Sequence, residues 1–246
     1  MSKMNEQLQN LYSNKWPLVT ERVQDKAVSP AAQPLLIKVN EQYENARLKV
    51  IIFGQETDGW HEEFNSYQAS VEQLMDRYYR YFNRLSEGGK KRQKRAFWGN
   101  KNFNFFAENL APKKDVEFLW NNISKIGNNE ARKGKPHKSI RVLEREYFNV
   151  IREEVEILKP DLIIFTTGKR DSYIRHIFGD KTSFAPLLYL QDGKPANETL
   201  NLIAEVSLED FPAISAIRVE HPNRRTLDKA LILKLIENCW NKKRSQ

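Results

Sequence analysis

Four short runs of the chain are almost unbroken in Val, Ile, Leu and Phe. They are LKVIIF (48–53), VEFLWN (116–121), DLIIFTT (161–167) and AISAIRV (213–219). A strand with one face in water alternates apolar and polar residues; a strand covered on both faces does not. The runs therefore predict a mostly parallel sheet with 48–53 at its centre. PLLYL (186–190) and LNLIAEV (200–206) are weaker strand candidates. Helical periods lie between the runs. Tyr67, Val71, Leu74, Met75, Tyr78, Phe82 and Leu85 recur every third or fourth residue, as do Leu143, Tyr147, Val150, Ile151, Val155 and Leu158. Each set makes one apolar stripe. Pro160 closes the second helix, and a last helix is expected from about Thr226 to about Trp240. Alternating strands and helices predict an α/β fold: a three-layer α/β/α sandwich around a central four-stranded, mostly parallel sheet. A single domain over 1–246 is expected, with a helical and basic-loop insertion at about 61–100.

The bulk numbers narrow the function classes. Forty per cent of the residues are hydrophobic, so a packed core is expected rather than disorder. No apolar run is long enough to cross a bilayer, and MSKMNEQLQN lacks the apolar stretch of a secretory signal. Cys239 is the only cysteine, which excludes an internal disulfide and a four-cysteine metal cluster. His61, His137 and His176 show no metal-ligand spacing with other residues. The expectation is a cytoplasmic monomer with no cofactor, no metal and no membrane contact. Lys and Arg number 40 against 32 Asp and Glu, a net charge of +8, which suits a polyanionic partner such as DNA, single- or double-stranded.

The runs end in unusually polar segments. GQETDG follows 48–53, NNISK begins at Asn121, TTGKRD spans Thr166–Asp171, and HPNRR spans His221–Arg225. In a parallel sheet the carboxyl ends share one edge, where open α/β sheets place their ligands. A carboxylate, amides, a histidine and arginines there could position water, read a heteroaromatic edge and stabilise an anion. The run Lys90, Lys91, Arg92, Lys94, Arg95 precedes Phe97 and Trp98. This is a candidate phosphate-gripping loop beside aromatics able to stack on bases. Each feature also has an ordinary reading. His221 suits packing or capping, and Glu56 and Asp58 suit a helix cap. Asn121 and Asn122 suit a turn. Lys169 and Arg170 suit a solvated helix start, and the basic run suits a solvated loop.

Together these residues resemble the uracil-DNA glycosylase superfamily over roughly residues 45 to 240. FGQETDGW is similar to its first motif, G-Q-D-P-Y-H in the best-known branch. VEHPNRR is similar to its second, H-P-S-P. VEFLWNNISKIG resembles the strand that ends in a base-reading asparagine, and EEVEILKPDLIIFTTG the helix–strand element between them. The resemblance implies a glycosylase fold and hydrolysis of the N-glycosidic bond of uracil or a related damaged base, with base flipping, in DNA base excision repair. It implies that Gln55 lies near the sugar and the C2 carbonyl, and that Glu56 stands where a water-activating Asp is kept, with Asp58 in reserve. It implies that Asn122 reads the base edge, His221 donates to the departing base, and Arg225 fills the vacated stack. Phe97 or Trp98 would floor the base pocket. Arg224, Lys169, Arg170 and the basic run would hold DNA.

The chemistry suits these residue types. Cleavage builds positive charge on the sugar and negative charge on the base, which a carboxylate and a neutral imidazole donor favour respectively. The chain also departs from the motifs. Thr57 and Asp58 replace Pro and Tyr, Glu56 is one methylene longer than Asp, and HPN replaces HPS. It matches none of the better-known branches as written. The alternative is a superfamily fold that binds nucleic acid, or a free nucleobase or nucleotide, without cleaving it.

Overall fold

The computed structural model describes residues 2–57, 60, 62–83, 97–99, 102–110, 113–129, 135–186, 203–224 and 229–244. Eight α-helices and six strands lie among them, in the order α1 (Lys3–Arg22), α2 (Glu41–Asn45), β1 (Leu48–Glu56), α3 (Val71–Phe82), α4 (Asn104–Leu110), β2 (Val116–Ser124), α5 (Lys138–Tyr147), α6 (Ile151–Leu158), β3 (Leu162–Phe165), α7 (Asp171–Phe178), β4 (Ser183–Ala185), β5 (Ile203–Ser207), β6 (Ser215–Val219) and α8 (Lys229–Arg244). One turn of 3-10 helix covers Phe97–Gly99. The fold is α/β, with one mixed sheet ordered β2-β1-β3-β6-β5-β4.

The sheet has six strands rather than the four expected from the apolar runs. β1 and β3 pair in parallel, with Val50 opposite Leu162 and Phe53 opposite Phe165. β3 and β6 pair in parallel, with Leu162 opposite Ser215. β5 then runs antiparallel to β6, and β4 antiparallel to β5. The two added strands are weak in sequence for a physical reason. β5 buries Ile203, Ala204 and Val206 but exposes Glu205 and Ser207, and β4 is three residues long. The strand expected at 186–190 is not found at Pro186, which lies beyond β4, and the remainder of that run lies outside the described residues.

Side chains and backbone tie the parallel strands at both ends. At the amino end Asp161 Oδ2 accepts from Lys49 N at 2.9 Å, and the Asp161 carbonyl accepts from Ser215 N at 3.1 Å. At the carboxyl end Thr166 donates to the Phe53 carbonyl from N at 2.7 Å and from Oγ1 at 2.8 Å. Gly168 donates to the Val219 carbonyl at 3.0 Å. Its φ of +58° is one that a residue without Cβ adopts freely.

One helix was expected through Leu143–Leu158; two are found, α5 and α6. Phe148 breaks them apart, with φ −138° and ψ 36°. A straight helix would set Glu144 and Glu154 about 15 Å apart along its axis. Both carboxylates instead bond the same residue, Glu144 to the Lys125 backbone N and Glu154 to Lys125 Nζ. The break brings the two acids to one lysine, and Phe148 is buried beside Tyr12 and Trp16.

The chain divides into two compact units. The first comprises Met1–Glu44, Gln55–Arg84 and Asn121–Leu158; the second comprises Asn45–Gly54, Leu85–Trp120 and Lys159–Gln246. Within the first, α1 packs against α3, α5 and α6. Ser70 and Gln73 form a reciprocal capping box at the start of α3, satisfying two backbone donors that the helix leaves open. No helix among the described residues is long and apolar enough to cross a membrane.

Candidate functional site

The candidate residues are divided between the two units. In the first, Gln55 and Glu56 are the last residues of β1, two and three beyond the apolar run, and both are half-buried. Asn121 and Asn122 lie inside β2, which continues to Ser124 instead of ending at 121. Asn122 is buried. The segments after the two strands lie close together. A Cβ at Gly127 would fall 2.1 Å from the Thr57 carbonyl oxygen, so only glycine fits. Segment 32–35 laces both: Ala32 N donates to Gly127, Gln33 N to Trp60 and Leu35 N to Lys125. Gly127→Ala is therefore expected to displace the end of β1 and to cost about 1–3 kcal/mol, the range for overpacking. A urea midpoint equal to wild type would refute this. Trp60 is buried against Tyr81 and Phe82, with the Arg77 guanidinium carbon 5.1 Å from its ring centroid.

Asn121 and Asn122 face opposite sides of β2, as successive strand residues do. Asn121 enters a buried polar network. Lys125 and Glu154 are fully buried and paired at 2.7 Å. Glu154 Oε1 also accepts from the Tyr12 hydroxyl at 2.6 Å, and its Oε2 accepts from Asn121 Nδ2 at 2.8 Å. Asn121 Oδ1 accepts from Lys125 Nζ and from Asn122 N, each at 2.8 Å. Tyr12 in turn accepts from Ile37 N at 3.1 Å. Burial pulls the Lys125 ammonium down, opposed by Glu154. Burial also raises the Tyr12 hydroxyl well above its usual range, and the Glu154 charge adds to it.

Glu144 closes the network from the other side, accepting from Lys125 N at 2.7 Å and Ile126 N at 3.3 Å. Burial raises its carboxyl to about 7 against these two opposing bonds. The folded protein thus keeps a proton that the unfolded chain gives up near 4.5. With more protons bound when folded, this group's contribution falls as pH rises from about 4.5 to about 7, by up to about 3 kcal/mol. The stability advantage of wild type over Glu144→Gln should therefore shrink across that window. An advantage that is the same at both ends would rule the assignment out.

In the second unit, His221 follows β6 by two residues, at the edge where β3, parallel to β6, also ends. A turn holds it: Arg224 N donates to the His221 carbonyl at 2.8 Å, with Pro222 supplying the preset φ at the second position. Asn223 N donates to His221 Nδ1 at 3.2 Å. That contact requires a lone pair on Nδ1, which puts the neutral ring's proton on Nε2. Burial lowers the imidazole below its usual value, and the charges of Arg170 and Arg224 lower it further. His221 is therefore a neutral Nε2–H donor with cations nearby.

The His221 ring packs edge-on against Phe103, centroids 5.8 Å apart. Phe103 stacks on Phe97 at 4.5 Å and meets Trp120 at 5.1 Å. Trp98 is buried against Phe118 at 4.9 Å and Phe97 at 4.9 Å. The expected aromatics, Phe97 and Trp98, thus form one cluster reached from His221 through Phe103. Phe103 and Trp120 were not singled out from sequence; the signal available was aromatic density at 97–106, three Phe besides Phe97 and Trp98. Lys169 is exposed, but Arg170 is buried, with its guanidinium carbon 5.7 Å from the Tyr173 ring centroid. Arg170, expected either to hold phosphate or to sit at a solvated helix start, is a buried cation whose charge lowers the His221 imidazole. Arg224 is exposed.

Asp58, Arg225, Lys90, Lys91, Arg92, Lys94 and Arg95 lie outside the described residues. Among the described residues no group of three or more His, Cys, Asp or Glu could hold a metal ion. No protein-family model matches the chain, and no curated protein matches it significantly.

Proposed function

We propose that this protein is a DNA glycosylase-like hydrolase that breaks the N-glycosidic bond of uracil or a related damaged base. The observation that carries the reading is His221. Its Nδ1 is occupied by Asn223 N, its Nε2 carries the proton, and burial and two arginines keep it neutral. In such cleavage the bonding pair leaves with the base, and water adds to the sugar carbon. A fixed neutral donor favours the anionic base most when its charge is greatest. Its aromatic neighbours are of the kind that stack on a flipped base, and the net charge of +8 suits DNA.

In this reading Asn122 reads the base edge, with Gln55 beside the sugar. Glu56 holds water and favours the cationic sugar, and Asp58 is the reserve acid. Trp98 and Phe97 belong to the pocket floor. Arg224, Arg225, Lys169 and the basic run from Lys90 to Arg95 take phosphates. The finer fold is then a uracil-DNA glycosylase-like α/β/α sandwich, and the cellular role is base excision repair. The test is incubation with single- and double-stranded oligonucleotides carrying uracil, hypoxanthine, xanthine or hydroxymethyluracil, followed by alkaline strand scission. Scission at the modified base is expected for at least one of them. Binding without scission on every member, with enzyme in excess, would replace this reading with a non-cleaving binder.

A further inference from the structure

The amide of Asn121 could sit in either of two orientations, with its oxygen and nitrogen exchanged. The network allows only one. Lys125 Nζ is a donor without acceptor capacity and demands Oδ1 on its side, at 2.8 Å. The Glu154 carboxylate only accepts and demands Nδ2, also at 2.8 Å. The orientation so fixed leaves Oδ1 able to take the Asn122 backbone N–H at 2.8 Å. Turned over, Asn121 would present a donor to that N–H, and the contact would be lost.

We propose that Lys125 and Glu154 are positioning residues that set the amide of Asn121 and, through it, hold Asn122 for recognition of a base edge. The inference rests on the glycosylase reading for the role of Asn122. Lys125, Glu154 and Asn121 do not touch the base; Asn122 is held by the network whatever the ligand. Burial favours such an arrangement. A lysine and a glutamate taken fully out of water gain little net stability over apolar residues of the same volume, so their distinct contribution is to orientation. Either charge alone suffices to orient the amide. Removing both leaves the Asn122 N–H as the remaining charge-free selector of the orientation, so the amide is held less strongly.

The test uses nitrogen-15-labelled wild type, Lys125→Met, Glu154→Gln and the double variant, with free uracil and a single-stranded oligonucleotide carrying one uracil as probes. Each single variant should keep the Asn122 amide chemical shift, with uracil affinity within about threefold of wild type. The double variant should shift that signal. Its uracil affinity should fall at least about tenfold, with the oligonucleotide KM rising alike while kcat changes less than about threefold. Should Lys125→Met fail to fold, Glu154→Gln and the double variant carry the comparison. A double variant whose Asn122 amide matches wild type overturns the inference. So does one that binds uracil as wild type does. Should wild type itself neither bind uracil nor cut any oligonucleotide, the glycosylase reading falls separately. The positioning of Asn122 is then decided by its amide: unchanged in the double variant, it is overturned; displaced there and kept in the single variants, it is upheld.

Discussion

Replacing His221 with alanine is expected to slow single-turnover cleavage by roughly one to three powers of ten, each about 1.4 kcal/mol of barrier. The substitution removes the Nε2–H donor while leaving the Phe103–Phe97–Trp120 cluster to pack around the gap. His221→Gln should recover part of the loss, since its amide can still donate. The effect should lie in the chemical step, with the affinity for DNA largely kept. Glu56→Gln should cause a loss of similar size by a separate route, because it removes the charge proposed to favour the cationic sugar. Asp58→Asn then identifies which acid acts. Rates equal to wild type for both acid variants would make the carboxylates a turn and a cap. An unchanged rate for His221→Ala would remove the reaction assigned here. The same histidine has a pH signature. Its folded value lies below the ordinary 6.5 because it is buried and flanked by Arg170 and Arg224. Its contribution to stability is therefore present above 6.5 and lost as pH falls through the folded value, and His221→Ala should blunt that acid sensitivity.

The second large effect is on stability. Lys125→Met is expected to cost about 3–5 kcal/mol, because it strands the Glu154 carboxylate in a dry interior. Tyr12 and Asn121 still donate to that carboxylate, but no counter-charge remains among them. Combining Lys125→Met with Glu154→Gln removes both charges and should restore much of the loss. Chemical unfolding of the two single variants and the double checks this. Additive losses would mean that the charges do not act as a pair. A loss of that size is a large part of the stability of an ordinary domain.

The parallel strands were legible because their apolar runs are continuous. Their lengths were not. Gln55 and Glu56 belong to β1, and Asn122 and Ser124 to β2, although nothing in their polarity asks for a strand. Pairing with neighbours decides there. α1 was also invisible: its core contacts Leu8, Tyr12 and Val19 are sparse, and Pro17 lies inside it. The buried network was harder still. Lys125 sits in NNISKIG and reads as a solvated turn residue. Its burial depends on Glu154 and on the α5–α6 break, which no local pattern announces. For the site, the His221 turn was readable from its Pro and its position after a strand. The neutral state of its ring was not, because Arg170 looked like a surface cation.

The scattered origin of the first unit has a consequence for synthesis. Its three stretches end at Glu44, Arg84 and Leu158. α1 leaves the ribosome well before its partner α6, which ends at Leu158. At about 5–20 residues per second, Leu8, Tyr12 and Val19 wait on the order of ten seconds before the last of α3, α5 and α6 can complete their cover. Lys125 likewise emerges before the acid that neutralises it. A nascent chain halted between α5 and α6 would hold a lysine without Glu154 and an α1 lacking one of the three helices that cover it, the form on which chaperones and proteases act.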